Sequence, residues 1–232
     1  MNLKILFFAL ATGISSLILS SCSNTGGGGS GAYARYEAYD RPATLPTNRA
    51  NVRVKVSIKN RMAYVMEGSK PLLIMPVTVG TASNPTPKGN FRIYHKEHYR
   101  RANTHGYAIS PDGSRVIPCY LKKKPAGWKF KGTPMPYWCE FKSAYGFHTG
   151  WMKPFPASHG CLRMHKNISP KFFRLVSTGT PVNISYSQPE DTTIGRNIPR
   201  PPDSTPFPGN PHAMMVTNKF FTMHKKPTFT ND

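Results

Sequence analysis

Apolar and polar residues alternate without a break over Val52-Arg53-Val54-Lys55-Val56-Ser57-Ile58. A period of two sends successive side chains to opposite faces, so this stretch predicts a half-buried strand. Lys59-Asn60-Arg61 supplies a polar turn, residues 62–67 a second strand, and Gly68-Ser69 a second turn. Residues 71–79 form a longer apolar run rich in Leu, Ile and Val, the pattern of a buried strand. Alternation returns in Gly89-Asn90-Phe91-Arg92-Ile93-Tyr94 and in Val182-Asn183-Ile184-Ser185-Tyr186. One helix has start and stop signals: Ser169 as its cap, Pro170 at its first position, an apolar face of Phe172, Phe173, Leu175 and Val176, and Gly179 just beyond. Several short strands with one or two short helices predict a mostly β fold, a β-sandwich or a close relative.

The two ends of the chain read differently. Residues 1–21 combine Lys4 with an apolar run from Ile5 to Leu19, the layout of a signal peptide. The run is short for a bilayer span, which needs about 20 apolar residues. It ends in Leu19-Ser20-Ser21-Cys22, which resembles the lipobox of bacterial lipoproteins and implies a lipid on Cys22. Gly- and Ser-rich composition makes residues 22–50 a lipidated N-terminus and flexible linker. Residues 51–187 are then the globular domain, within which 96–144 is a lid or insertion. Residues 188–232, rich in Pro and basic residues, read as a disordered tail.

Charge adds one constraint. Lys and Arg number 31 against 10 Asp and Glu, a net charge of +21. Such a balance favours nucleic acid, anionic lipid or an acidic wall polymer. Export removes nucleic acid from that set and leaves the membrane, reached through the N-terminal lipid, and the wall. Ser23 after the anchor, in place of an Asp that would signal inner-membrane retention, favours the periplasmic face of an outer membrane. An oxidising compartment also bears on the cysteines. With Cys22 lipidated and Cys161 needed as a free thiol, Cys119 and Cys139 are expected to pair as a disulfide.

Chemistry concentrates in Tyr145-Gly146-Phe147-His148-Thr149-Gly150 and Ser158-His159-Gly160-Cys161-Leu162-Arg163-Met164. A thiol attacks as its thiolate, and a histidine in reach can take its proton. His148 can face the sulfur from a neighbouring strand, whereas His159 is tied too closely in sequence to serve easily as the base. Gly160 permits a tight turn whose amides can converge as an oxyanion hole. Arg163 brings a fixed positive charge, suited to lowering the thiol pKa or to holding a substrate carboxylate.

Those residues resemble the catalytic motif of the L,D-transpeptidase (YkuD-type) family. The likeness extends upstream to Val79-Gly80 and Thr86-Pro87-Lys88-Gly89-Asn90-Phe91, and downstream through Gly179-Thr180-Pro181-Val182. It implies an L,D-transpeptidase-like β-sandwich of mixed sheets in a cell-wall enzyme. Cys161 would be the nucleophile and His148 the base, with Thr149 orienting His148 through its backbone carbonyl. The amides around His159, Gly160 and Cys161 would form the oxyanion hole, and Arg163 would shape the site or meet substrate. The reaction implied is thioester formation from a peptidoglycan stem tetrapeptide, then transfer to an amine, in a monomer that uses no metal or organic cofactor.

Four other readings stand beside this one. Water in place of the amine makes the protein an L,D-carboxypeptidase or amidase. Cys161 with His148 and His159 could bind zinc, or Cys161 could be a buried structural thiol. A basic lipoprotein could also tether membrane to wall without catalysis. His95 and His98 read as surface histidines, and Lys122-Lys123-Lys124 as a solvated face.

Overall fold

The computed structural model describes residues 28–204 and 211–231. Ten strands make two five-stranded sheets. The first sheet holds β1 (Val52–Ser57), β2 (Met62–Glu67), β3 (Lys70–Pro76), β4 (Gly89–Arg92) and β10 (Pro181–Ser185) in the order β3-β2-β1-β10-β4. The second holds β5 (His95–Ile109), β6 (Val116–Tyr120), β7 (Lys129–Lys142), β8 (Tyr145–Thr149) and β9 (Leu162–Met164) in the order β6-β5-β7-β8-β9. Each sheet is mixed, with one parallel pair, β1 with β10 and β8 with β9. The fold is mostly β, as the strand pattern implied.

The core lies between the sheets. Val54 and Val56 of β1, Val65 of β2, and Val182 and Ile184 of β10 meet Phe141 of β7, Phe147 of β8, and Leu162 and Met164 of β9. Helix α2 (Ser169–Leu175) closes one side with Phe172 and Leu175. Ser169 does not cap it, contrary to expectation. Its hydroxyl donates to the His165 carbonyl at 2.8 Å, and Ile168 takes the cap position without a side-chain bond. Pro170 lies in the first turn, where its missing N–H leaves no gap.

Residues 96–144 are the β5–β7 hairpin with β6 on its edge, which alternation did not reveal. Pro118 sits on edge strand β6. Pro134 and Pro136 sit on β7 outside the part that pairs with β8, which runs from Cys139 to Lys142. A proline has no ladder N–H, so it is tolerated where one side of the strand has no partner. The hairpin also rules out the expected disulfide. Cys119 faces Gly106, Gly106 faces Gly132, and Cys139 lies seven residues farther along β7. Two strand spacings of about 4.8 Å and seven residues at about 3.3 Å each separate them far beyond the roughly 7 Å that a bridge tolerates. Cys119, Cys139 and Cys161 are all free thiols, and burial pushes Cys139 up to about 12.

Both flanks are corrections as well. Of the expected linker, residues 28–50 begin with α1 (Gly28–Ala38) and pack on the domain. Tyr36 is 1% exposed, and its carbonyl accepts from His165 Nε2 at 2.8 Å. Asn167 Nδ2 donates to the carbonyls of Glu37 and Tyr39. Lys166 and Lys171 pair with Glu37 and Asp40, and Ala43 bridges to Leu73. Cys22 and residues 1–21 lie outside the described residues.

The expected disordered tail is instead held at many points. Gln188 donates to Val56 O and Asn183 Oδ1, and Asp191 accepts from Tyr64 Oη and Ser57 Oγ. Ile194 and Ile198 then cover Met62, Tyr64 and Met66. That cover explains why β2 is buried on both faces. Farther on come α3 (Pro211–Met215) and α4 (Lys219–Thr222), then Phe229 in the main core and Thr230, whose N–H donates to Ala43 O. A few aromatic and aliphatic anchors therefore overrule a linker-like composition.

His148 and His165 are buried, and burial pushes their pKa down, to about 3 and about 4. Both titrate near 6.5 in an unfolded chain. Below that pH the unfolded chain binds protons that the folded chain refuses, so stability is full above pH ~6.5 and falls as the pH drops toward 4. At pH 5 each histidine should have removed roughly 2 kcal/mol. Urea unfolding at pH 7.5 and at pH 5 measures the difference, and equal free energies at both would refute this account.

Candidate active site

Strands β8 and β9 run parallel with Phe147 opposite Leu162, His148 opposite Arg163 and Thr149 opposite Met164. Side chains alternate across a sheet, so Phe147 and Leu162 enter the core while His148, Cys161 and Arg163 face the other way. Continuing the register sets Cys161 beside Gly146 and on a diagonal from His148. Such diagonal neighbours have Cα atoms about 7–8 Å apart, within reach of each other's side chains. His148, Cys161 and Arg163 all line one cavity of about 670 Å³. Its other walls come from His105, Ile117 and Tyr120 of the hairpin, and from Met215 and Phe220 near the C-terminus.

Cys161 Sγ lies 3.6 Å from Ala144 O and packs on the cluster of Ala102, Met135 and Trp138. Burial raises the thiol pKa. The Gly146 N–H and the Arg163 charge pull it down without cancelling that burial, and the Glu140 charge adds to the rise. Arg163 therefore lowers the thiol pKa, one of the two roles expected of it, without outweighing the burial that raises it. Gly146 has no room for a side chain, because a Cβ there would come 2.8 Å from the Trp138 ring.

His148 Nδ1 donates to the Thr149 carbonyl at 2.8 Å. That bond fixes the tautomer and leaves Nε2 with its lone pair, as a proton acceptor needs. Burial holds the ring neutral, with its pKa at about 3. The resting pair is thus a thiol and a neutral imidazole.

The turn before Cys161 is organised by Ser158, which is 2% exposed. Its hydroxyl donates to the Cys161 carbonyl at 2.6 Å and accepts the Gly160 N–H at 3.0 Å. Gly160 has φ +106°, and a Cβ on it would come 2.5 Å from the Tyr145 ring. Only glycine fits there. The expected oxyanion hole needs one revision. The Gly160 amide is already bonded to Ser158, which takes it out of the expected set.

His159 is drawn to the mouth of the cavity. Its Nε2 lies 3.1 Å from Tyr120 Oη, and its ring stacks on His105 with centroids 5.2 Å apart. Arg163 runs along Gly150 into the cavity wall, and no carboxylate pairs with it among the described residues. Among the described residues no group of three or more His, Cys, Asp and Glu converges as a metal site would require.

Sequence reasoning missed four contributors. Glu140 accepts from Trp138 Nε1 and the Ala144 N–H, bracing the turn beneath Cys161. His105 and Tyr120 come from the hairpin, and His224 bonds to Thr149 Oγ1 at 2.8 Å. His105, Tyr120 and His224 carry no local mark, because each arrives through contacts distant in sequence.

A model of the L,D-transpeptidase catalytic domain family, YkuD, matches residues 51–184. Similar solved structures include an L,D-transpeptidase from Stackebrandtia nassauensis, at 21% identity and TM-score 0.44, covering 68% of this chain and 66% of that one. L,D-transpeptidase 1 of Mycobacterium tuberculosis is 20% identical with TM-score 0.41, over 58% of this chain and 61% of that one. The catalytic domain of the E. faecium enzyme is 22% identical with TM-score 0.42, over 58% and 96%. The match spans less than two thirds of the first two of these structures. No curated protein matches the chain.

The electrostatics give a test that needs no substrate. Iodoacetamide alkylation of Cys161, followed by mass spectrometry, should accelerate with pH to a midpoint above the ordinary thiol value of about 8.5. No step should appear near 6.5, and Arg163→Met should move the midpoint higher still. A midpoint at or below 7 would mean a resting thiolate–imidazolium pair and overturn this reading.

Proposed function

The chain belongs to the L,D-transpeptidase (YkuD) catalytic domain family, and from that premise we propose that Cys161 forms a thioester with a peptidoglycan stem tetrapeptide and passes the acyl group to an amine. One observation carries the proposal: His148 donates Nδ1–H to Thr149 O, so Nε2 is free to accept a proton on the strand face it shares with Cys161.

The steps follow from two neutral groups. As Sγ attacks the stem carbonyl carbon, His148 Nε2 takes the thiol proton, so a reactive thiolate exists only together with the new C–S bond. The carbonyl oxygen gains negative charge and receives the amides of His159 and Cys161. Collapse breaks the C–N bond, and the imidazolium gives its proton to the departing amine. An acceptor amine then attacks the thioester while His148 removes its proton. The C–S bond breaks, and the proton returns to sulfur. Arg163, with no carboxylate pairing with it among the described residues, is suited to a carboxylate of the stem.

In this reading Cys161→Ala abolishes transfer and still folds. His148→Ala lowers kcat by about 10²–10⁴-fold. A carbapenem of the meropenem class adds its mass to Cys161 and to no other residue. Product mass spectrometry on defined muropeptides separates transfer to an amine from hydrolysis by water. Wild-type turnover in a folded Cys161→Ala protein would end the mechanism, and absence of turnover in the wild type would favour a tether between membrane and wall.

Localisation is part of the proposal. The Leu19-Ser20-Ser21-Cys22 segment supports an exported protein held by a lipid on Cys22, at the periplasmic face of an outer membrane. A fatty-acid probe should label the wild type and spare Cys22→Ala. Equal labelling of the two would refute the anchor.

A further inference from the structure

We infer that His224, forty residues beyond the matched family region, is a positioning residue for His148 and acts through Thr149. The inference rests on the proposed role of His148 as the proton acceptor.

Thr149 carries two oxygens with separate duties. Its carbonyl oxygen accepts His148 Nδ1–H at 2.8 Å, and its hydroxyl lies 2.8 Å from His224 Nε2. The direction of the second bond is set one step farther back. His224 Nδ1 lies 3.1 Å from the Phe221 carbonyl, which can only accept, so Nδ1 carries the hydrogen and Nε2 carries the lone pair. Thr149 Oγ1 is therefore the donor. Burial keeps His224 neutral, with its pKa lowered to about 4, so the acceptor persists at neutral pH. Thr149 itself is 1% exposed, and its hydroxyl has no water to turn to if His224 is lost.

The peptide that receives His148 is thus fixed from three sides. The Gly150 N–H donates to Met164 O at 3.0 Å, His148 bonds to the carbonyl, and His224 holds the side chain. His224 is itself held firmly. Arg101 donates to the carbonyls of Met215 and Thr217, and its guanidinium lies 5.0 Å over the Phe221 ring. Phe220 is buried against Trp151, and the His224 ring meets Tyr137 edge-on at 4.7 Å. A segment fixed at this many points can transmit position as well as cover the site.

The test uses the full chain with His224→Phe, His224→Gln, Thr149→Val and, as a control, Asn231→Ala, which loosens the segment at Leu45 without touching Thr149. Gln can present Oε1 near the position of Nε2, whereas Phe keeps the ring and removes the acceptor. His224→Phe should lower kcat about tenfold, part of the ~10²–10⁴-fold that a general base supplies, with KM changed less than about twofold. Thr149→Val should do the same from the other side of the bond. His224→Gln should restore most of the loss, and Asn231→Ala should match the wild type. In NMR spectra the His148 Nδ1–H should exchange slowly in wild type and His224→Gln and be lost in His224→Phe. A wild-type kcat in either His224→Phe or Thr149→Val would overturn the inference. So would a His224→Gln protein as impaired as His224→Phe, because ring packing on Tyr137 would then be the cause. If the wild type transfers no acyl group, the proposed function fails, while the His148 Nδ1–H signal still decides the part played by His224.

Discussion

The parallel register of β8 and β9 is the constraint on which everything else depends. With Phe147 opposite Leu162, the core takes two large apolar side chains, and the residues between them are forced to the other face. His148, Cys161 and Arg163 meet in the cavity because their neighbours meet in the core. A slip of one residue would exchange the two sets, burying a guanidinium and exposing Phe147 and Leu162. Packing energy therefore enforces the geometry of the site. Gly146 and Gly160 belong to the same arrangement, since each leaves room for an aromatic ring that braces the turn beside the sulfur.

Enclosure has an electrostatic consequence. Burial raises the Cys161 thiol and depresses His148, so neither group is charged at rest. The same enclosure strengthens any interaction with charge that develops later, because a low-dielectric site screens it less. Arg163 is a fixed charge in the lining that titration cannot remove at physiological pH. Its pull on the thiol is smaller than the desolvation that opposes it. In the proposed function its larger contribution falls to an anionic group brought from outside, and a chain of net charge +21 attracts such groups from a distance.

Legibility in the sequence tracked the range of the interactions. Strands β1, β4 and β10 announced themselves through alternation, because each turns one face to the core. Ser158-His159-Gly160-Cys161 was readable because the turn is built from neighbouring residues, down to the Ser158 hydroxyl that bonds to both Gly160 and Cys161. The β5–β7 hairpin was not, since its charged residues and prolines mask a ladder that only the partner strand completes. The bonded pairing of Cys119 and Cys139 failed for the complementary reason: counting cysteines says nothing about which strand each occupies. The flanks misled because composition averages over residues. Tyr36, Ala43, Gln188, Phe220 and Phe229 are few, and each is buried.

Those flanks converge on one place, the loop between β8 and β9. Met152 donates its N–H to Tyr36 Oη from one flank, and its carbonyl accepts the Ser204 N–H from the other. Lys153 pairs with Asp203 at 2.6 Å, and Trp151 lies between Tyr36 and Phe220. That loop carries the chain from His148 to Cys161, and these contacts add to the hydrogen bonds that Thr78, Val79 and Thr81 make to Lys153, Ala157 and Ser158. Loops of this kind have low local stability unless other segments pack on them. In the proposed mechanism a Cys–His pair split across such a loop needs both ends fixed to a fraction of an ångström for proton transfer to compete. Under the proposed mechanism the flanks meet that need from outside the matched family region, so the reacting residues can stay within a short motif while their precision depends on Tyr36 far before it and on Asp203, Ser204 and Phe220 well after it.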